Sequence, residues 1–330
     1  MEKLDQVVEM EGNILVTGAT GAIGRNLVPL LREKYGTDKV IAGYNSRIPQ
    51  GSLADGPMVQ VNVVNKAELY SIVTNPERKV SSIYHLAALL SVAAEEDPEK
   101  AEQVNTQGLQ NVLDIMAEQV ADGKNMTGFW ASSIGVYGKG LPAENVAEDV
   151  MLDPITVYGK GKVVGEKVIK EFYEKNGVDV RIIRFPGLNG PGKPGPGTTE
   201  YAIRMIQAAA NGNDYTVPLR QDTTMPMMDM RDAVQGIMKI IDAPKDKIEV
   251  ASPYNIAAFS FSPEELLKVV QEFNPSFTVE YSPDEGMQGT ADSWPNTIDD
   301  SRARIQWGWK STISLKEMVR NIFEEAKDEK

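Results

Sequence analysis

Short apolar runs alternate with amphipathic stretches along the first 187 residues of the chain. Runs of strand length are NILVT (13–17), KVIAG (39–43), MVQVNVV (58–64), SSIYHLAA (81–88), TGFWASS (127–133) and VRIIRFPG (180–187). Between them, apolar residues recur at helical spacing in 22–33, 66–73, 98–120 and 157–175. Strands that alternate with helices of this length predict a parallel sheet covered by helices on both faces.

The pattern changes after residue 187. Residues 188–200, LNGPGKPGPGTTE, are rich in Pro and Gly and predict a loop rather than a strand or helix. Helical spacing then returns in short pieces at 202–212, 230–242, 262–273 and 314–326. The sequence therefore predicts a doubly wound parallel sheet of the Rossmann type over residues 1–187. A smaller, mostly helical C-terminal substrate lobe is expected over 188–330, with part of 226–258 returning to the sheet.

Charge and hydropathy narrow the range of partners. The formal net charge of −13 argues against a nucleic-acid or membrane-surface partner. No apolar run approaches the roughly 18 residues that a membrane-spanning helix needs. The first twelve residues carry four acidic side chains and no apolar segment, which argues against a secretion or transit signal. We expect a soluble, cytoplasmic protein that acts on a small molecule.

The content of cysteine and histidine limits the chemistry. The chain has no cysteine, so disulfides and thiolate catalysis are excluded, and its single histidine argues against a zinc site. We expect no metal cofactor. That histidine, His85, ends the fourth predicted strand and is interpreted as a packing or hydrogen-bonding residue. Trp307 and Trp309 are interpreted as core residues.

A glycine-rich turn joins the first strand to the first helix. Gly18, Gly21 and Gly24 follow the strand directly, in the spacing G-x-x-G-x-x-G. Such a turn lets a pyrophosphate approach backbone N–H groups, and the positive end of the helix dipole favours its charge. The sequence predicts dinucleotide binding at this turn.

The residues expected to contact the adenosine ribose do not decide between NAD and NADP as the cofactor. An acidic residue is expected about 20 residues after the glycines, yet the second strand is followed by Asn45, Ser46 and Arg47. Asn45 or Ser46 could hydrogen-bond the ribose hydroxyls of NAD, whereas Arg47 could pair with the 2′-phosphate of NADP. NAD and NADP are both compatible with these residues.

A serine, a tyrosine and a lysine carry the candidate catalytic chemistry. Free tyrosine has a pKa of about 10, and a lysine one helical turn away stabilises its phenolate. Tyr158 and Lys162 have this spacing, and Ser133 ends the predicted strand 127–133, where its hydroxyl could polarise a substrate oxygen. Tyr35 and Lys39 repeat the spacing at the end of the first helix, where we expect them on the surface.

Several stretches are similar to the short-chain-type L-threonine 3-dehydrogenases, relatives of the nucleotide-sugar epimerases. The stretches cover essentially the whole chain: TGATGAIG (17–24), IYHLAALLS (83–91), SSIGVYG (132–138), TVYGKGK (156–162), RFPGL (184–188), GTTEYA (197–202), PMMDMRDA (226–233) and ADSWPNTIDDSRARIQWGW (291–309). The resemblance implies NAD-dependent oxidation of L-threonine at its 3-hydroxyl to 2-amino-3-oxobutyrate. It also implies a homodimer, for which helices 98–120 and 157–175 are the candidates.

The resemblance also assigns roles by position. Tyr158 is the implied general base, assisted by Lys162 and Ser133. The residues implied to shape the substrate pocket are Ser91, Ser132, Ser133, Tyr158, Thr198, Thr199 and Trp294. The residues expected along the cofactor are Gly18, Gly21, Ala22, Ile23, Gly24, Asn45, Ser46, Arg47, Asn62, Val63, Leu86, Ala87, Ala88, Asn105, Tyr158, Lys162, Pro186 and Leu188. The chain departs from the family in lacking an acid near Tyr44 and in having Glu200 where Asp is expected.

Two other functions remain as alternatives. A nucleotide-sugar 4-epimerase or dehydratase with a retained NAD would share the fold, the tyrosine and the lysine. A dehydratase would need a carboxylate beside Ser133, where Ile134 stands, and GTTEY suits a small zwitterion better than a sugar nucleotide. A regulator that senses the dinucleotide without turnover would not need Ser133, Tyr158 and Lys162 together. Fold alone does not separate the three.

Overall fold

The computed structural model describes residues 11–328. The acidic residues 1–10, on which the expectation about a secretion signal mainly rests, lie outside this range. The strands are β1 Asn13–Thr17, β2 Val40–Tyr44, β3 Met58–Gln60, β4 Val80–His85, β5 Thr127–Ser133, β6 Asp179–Phe185, β7 Gly187–Asn189, β8 Thr216–Val217, β9 Met225–Asp229, β10 Pro253–Asn255, β11 Phe259–Phe261 and β12 Glu280–Tyr281. The helices are α1 Ala22–Tyr35, α2 Lys66–Val73, α3 Ser91–Glu96, α4 Pro98–Ala101, α5 Gly108–Ala121, α6 Val157–Asn176, α7 Tyr201–Asn211, α8 Met230–Asp242, α9 Pro263–Gln271, α10 Glu285–Ala291, α11 Ser301–Trp307 and α12 Leu315–Asp328.

A seven-stranded parallel sheet organises residues 11–328. Its strand order is β3-β2-β1-β4-β5-β6-β10, so the winding direction reverses between β1 and β4. In doubly wound sheets, ligands bind at the carboxyl ends of the strands beside this reversal. The Rossmann-type fold predicted from the alternating pattern is confirmed.

Alternating side chains of the strands build a core on each face of the sheet. Ile14 and Val16 of β1 point into one core with α1, α8 and α11, whereas Leu15 points into the other with α2, α5 and α6. Trp307 and Trp309 are buried in the first core. The helices therefore hold the strand ends, and the loops that follow them, in fixed positions.

Tyr35 is not on the surface, as the sequence led us to expect. It is 8% exposed at the end of α1, and its hydroxyl donates a 2.9 Å hydrogen bond to Asp242 at the end of α8. Asp242 also pairs with Lys34. The partner that buries this tyrosine is more than 200 residues away, so the local pattern could not reveal it.

The later part of the chain forms a further core around α7, α9 and α12. A three-stranded sheet of order β11-β9-β7 and the pair β12-β8 lie in this part. One piece of 226–258, the strand β10, lies at the edge of the main sheet beside β6. Among residues 11–328, no helix is both long enough and apolar enough to cross a membrane.

Some predicted segments differ from the structure. The third strand ends at Gln60, because Asn62 turns the chain: its side-chain oxygen accepts a hydrogen bond from the N–H of Val64. The helix predicted over 98–120 contains a π-helical segment, Glu102–Gln107. The loop predicted over 188–200 includes the end of β7 and the 3₁₀ turn Thr198–Glu200. Short elements held by distant partners leave little trace in the sequence.

Candidate active site

Ser133, Tyr158 and Lys162 converge at the carboxyl end of β5. Ser133 is the last residue of β5, and Tyr158 is the second residue of α6. The Ser133 hydroxyl is hydrogen-bonded to the Tyr158 phenol and accepts a 3.0 Å hydrogen bond from the N–H of Gly135. Lys162 lies one turn further along α6, with its Nζ 5.4 Å from the centroid of the Tyr158 ring. The structure thus brings together the three residues that the sequence singled out.

Local hydrogen bonds explain why α6 starts where it does. Thr156 caps the helix by accepting a 3.0 Å hydrogen bond from the N–H of Gly159. The carboxylate of Glu95, on α3, accepts a 2.6 Å hydrogen bond from the N–H of Val157. These two acceptors fix the first turn of α6 and therefore the height of Tyr158 above the sheet.

Burial disfavours the charged forms of both titratable groups. It raises the pKa of Tyr158 to about 12, although the hydrogen bond with Ser133 opposes the shift. It lowers the pKa of Lys162 to about 7, although the negative charge of Glu166 opposes the shift. The Lys162 amine donates a 2.5 Å hydrogen bond to the carbonyl of Ala131 and lies 4.3 Å from the Trp130 ring centroid. This amine therefore titrates near neutral pH beside the tyrosine whose anion it would stabilise.

Ser132 lies on the opposite face of β5 from Ser133, since successive side chains of a strand alternate. Its hydroxyl is buried and donates a 2.6 Å hydrogen bond to the carboxylate of Glu166. The same carboxylate accepts two hydrogen bonds from Arg184 of β6. Ser132 is therefore engaged beneath the site. Sequence reasoning missed Glu166 and Arg184, although Glu166 stands one turn after Lys162.

The glycine turn forms a backbone cradle at the start of α1. Gly18 has a φ of +70°, and a Cβ on it would lie 2.7 Å from the backbone nitrogen of Ala87. A Cβ on Gly24 would lie 2.5 Å from the carbonyl oxygen of Gly18. Gly21 precedes α1 without a side-chain cap, which leaves the N–H groups of the first turn, including Ala22 and Ile23, to other partners. These features fit the pyrophosphate of a dinucleotide.

The end of β4 forms the neighbouring wall. His85 is buried, its Nδ1 lies 2.8 Å from the Thr17 hydroxyl, and burial, reinforced by the charge of Lys162, lowers its pKa to about 3. It is therefore neutral and hydrogen-bonded. Leu86, Ala87 and Ala88 follow it. Asn105, in the π-helical segment, holds the next residue, Leu89, through 2.7 and 2.9 Å hydrogen bonds to its backbone. Short π-helical segments often occur at functional sites.

The residues expected at the adenosine end follow β2 and β3. Asn45, Ser46 and Arg47 are exposed. Asn62 donates its N–H to Glu68, and Val63 is buried. Both segments lie at the same edge of the sheet as the glycine turn.

The residues expected in the substrate pocket come from several segments. Ser91 begins α3, and a Cβ on Gly197 would lie 3.7 Å from its hydroxyl oxygen, so the 3₁₀ turn with Thr198 and Thr199 lies beside it. Trp294 is partly buried and lines a cavity of about 230 Å³ with the segment 138–143. Pro186 and Leu188 lie between β6 and the end of β7. Among residues 11–328, no hydrogen bond joins the side chains of Thr198, Thr199 or Trp294 to Tyr158.

Glu200 is partly buried close to two arginines. Burial raises the pKa of its carboxyl group, against a hydrogen bond from the Gly195 backbone and the charges of Arg204 and Arg25. Arg25 of α1 also donates a 3.4 Å hydrogen bond to the carbonyl of Pro191. The loop 190–200 is thereby attached to the helix that begins at the glycine turn. The residues that the structure describes contain no cluster of three or more side chains suited to a metal ion.

Comparisons with known proteins place these features in a family. The model of the NAD-dependent epimerase/dehydratase family matches residues 14–257. An uncharacterized epimerase/dehydratase of Staphylococcus aureus (strain USA300) is 38% identical over 314 residues, which cover 94% of this chain and 95% of that protein.

Solved structures agree with this placement. An L-threonine dehydrogenase from Clostridium difficile has a TM-score of 0.91 at 36% identity, and the match covers 98% of this chain and 99% of that one. A monomeric L-threonine 3-dehydrogenase from a metagenome has a TM-score of 0.88 at 37% identity, with 96% and 99% covered. The family match spans the glycine turn, Ser133, Tyr158 and Lys162. The chain belongs to the NAD-dependent epimerase/dehydratase family of enzymes.

Proposed function

We propose that this enzyme oxidises the 3-hydroxyl of L-threonine to give 2-amino-3-oxobutyrate, with NAD as the hydride acceptor. The observation that carries the proposal is the convergence of Ser133, Tyr158 and Lys162 at the sheet edge that also bears the glycine turn. The names of the solved relatives support the choice of substrate, since proteins 36% and 37% identical over nearly the whole chain are L-threonine dehydrogenases.

Each of the three residues has a distinct task in this reaction. Tyr158, as phenolate, removes the proton of the 3-hydroxyl, and Ser133 donates a hydrogen bond to the oxygen that becomes the carbonyl. Lys162, as ammonium, stabilises the phenolate from one turn away. Bound NAD supplies the acceptor for the hydride that leaves C3. The hydroxyl proton and the hydride together balance the oxidation of the alcohol to the ketone.

Small polar side chains suit the rest of the substrate. Ser91 and Thr198 come from adjacent segments, and the partly buried carboxyl of Glu200 follows in the same turn. We propose that this group holds the amino acid, with Thr199 and Trp294 completing the pocket. In this proposal the residues up to 187 bind mainly the dinucleotide and the later residues bind the substrate.

The proposal is tested by following NADH absorbance with purified protein, NAD and L-threonine. NADH formation with L-threonine, and none with UDP-glucose, is the expected result. No NADH formation with L-threonine, together with interconversion of UDP-glucose and UDP-galactose, would replace the proposal with a sugar-nucleotide epimerase. Dinucleotide binding without turnover of any of these substrates would favour a sensor.

We also propose a homodimer that associates through α5 and α6, as the sequence resemblance implied. The metagenome relative is described as monomeric, so the test is decisive for this chain. Light scattering coupled to gel filtration should give twice the chain mass of 36.2 kDa. A mass near that of one chain would overturn the dimer and leave the proposed reaction untouched.

A further inference from the structure

The loop after β2 lies beside the glycine turn. Gly43 pairs with Thr17 in the register of β2 and β1, and its carbonyl accepts a 3.0 Å hydrogen bond from the N–H of Ala19. The side-chain amide of Gln60 donates a 2.9 Å hydrogen bond to the carbonyl of Asn45, which attaches the loop to β3. The loop is therefore fixed where the second strand of a dinucleotide-binding sheet meets the adenosine ribose.

This loop presents positive and neutral side chains only. Tyr44, Asn45, Ser46 and Arg47 include no carboxylate, and the last three are exposed. The neighbouring acid on α2, Glu68, is already the acceptor of hydrogen bonds from the backbone of Asn62 and the side chain of Asn65.

The Arg47 side chain is exposed at the end of this loop. Among residues 11–328, no carboxylate forms an ion pair with it. An unpaired guanidinium presents several donors in a planar fork that matches a phosphate. A carboxylate at the end of β2 would instead accept hydrogen bonds from a free 2′-hydroxyl and repel a 2′-phosphate.

We propose that this loop binds the 2′-phosphate of NADP, so that the protein takes NADP(H) as well as NAD(H). Arg47 makes the ion pair, and the side chains of Ser46 and Asn45 hydrogen-bond either the phosphate or the free ribose hydroxyl of NAD. The inference rests on the dinucleotide site of the proposed function. It does not depend on the substrate.

The test measures binding, through the fluorescence of NADPH and NADH titrated with protein in the absence of substrate. The wild type should bind NADPH with a Kd within about tenfold of that for NADH. Arg47→Ala should weaken NADPH binding by about tenfold or more and change NADH binding by less than about twofold, because only NADPH offers the extra charge. Arg78→Ala is the matched control: it removes the same charge at the amino end of β4 and should change neither Kd.

A second variant tests the same inference in the opposite direction. Asn45→Asp places a carboxylate in the loop, so NADPH binding should weaken by about tenfold while NADH binding is kept or improved. A wild-type Kd for NADPH more than about a hundredfold above that for NADH would overturn the inference. So would an equal effect of Arg47→Ala on both dinucleotides, or binding of neither. If both bind as expected but L-threonine is not oxidised, the proposed function fails while this inference stands.

Discussion

Arg184 holds the carboxylate of Glu166 through two hydrogen bonds of 2.8 and 2.7 Å, in a pair that is almost fully buried between β6 and α6. Ser132 donates a third hydrogen bond to the same carboxylate. The pair lies one helical turn below Lys162, and its negative member is the group that opposes the lowered pKa of that lysine. Helix α6 is thus attached to the sheet by a buried carboxylate that accepts hydrogen bonds from side chains of β5 and β6.

Breaking this pair should destabilise the fold strongly. Arg184→Met leaves the Glu166 carboxylate buried without its cation, so the free energy of unfolding should fall by about 3–5 kcal/mol. The control is Lys170→Met on the same helix, where the partner Glu174 is 3.9 Å away and both side chains are largely exposed. That change should cost less than about 0.5 kcal/mol. Urea unfolding of both variants provides the measurement, and similar losses would contradict the buried-pair argument.

Tyr158→Phe should abolish most turnover and leave dinucleotide binding intact. The variant keeps the ring and removes only the hydroxyl that we propose takes the substrate proton. General-base catalysis of this kind contributes about 10²- to 10⁴-fold, so kcat should fall by that range. Steady-state rates with L-threonine and an NADH fluorescence titration measure the two effects. Near-normal kcat would remove Tyr158 as the base.

The sequence predicts the features that depend on local pattern. Strand 127–133 and helix 230–242 have the predicted bounds, because each has a strong period and clear end signals. The candidate catalytic residues could be predicted for the same reason. The i, i+4 spacing places Tyr158 and Lys162 on one face of α6, and Ser133 ends a predictable strand.

The features that escaped prediction depend on contacts distant in sequence. Glu166 becomes part of a network only when β6 brings Arg184 beside α6. The π-helical segment depends on the pairing of Asn105 with the backbone of Leu89, which no apolar period encodes. Which residues after 187 lie near Tyr158 depends on how the core around α7, α9 and α12 meets the cores of the main sheet, and no local pattern reports that.

Lys162→Met should stabilise the protein at neutral pH while it removes activity. The folded-state pKa of about 7 lies below the ordinary value of 10.5. Below pH 7 Lys162 is charged in both the folded and the unfolded state, so folding bears the full free-energy cost of burying the ammonium. This cost falls as the pH rises to 10.5, above which Lys162 is neutral in both states. The free energy of unfolding of Lys162→Met should exceed that of the wild type by about 1–3 kcal/mol at pH 7, after the lost hydrogen bond and ring contact are allowed for.

The pH dependence of the stability difference distinguishes removal of the buried Lys162 charge from better packing of the methionine. Thermal unfolding of wild type and Lys162→Met at pH 7 and pH 9 should show a smaller difference at the higher pH, since the wild type recovers stability there. A difference that is equal at the two pH values would show that burial of the charge is not its source.

Gly159 and Gly161 both lie in the turn of α6 between Tyr158 and Lys162 but have opposite surroundings. A Cβ on Gly159 would collide with the carbonyl oxygen of Gly135, whereas a Cβ on Gly161 meets nothing within 4 Å. Gly161→Ala should raise the free energy of unfolding by about 0.5–1 kcal/mol, through helix propensity, with kcat unchanged. Gly159→Ala should lower it by about 1–3 kcal/mol and reduce kcat, since the first turn must shift away from β5 and carry Tyr158 with it. Thermal unfolding and steady-state rates of the two variants provide the measurements. If Gly159→Ala stabilised the protein as Gly161→Ala does, the close approach of Gly159 to the carbonyl of Gly135 would be wrong.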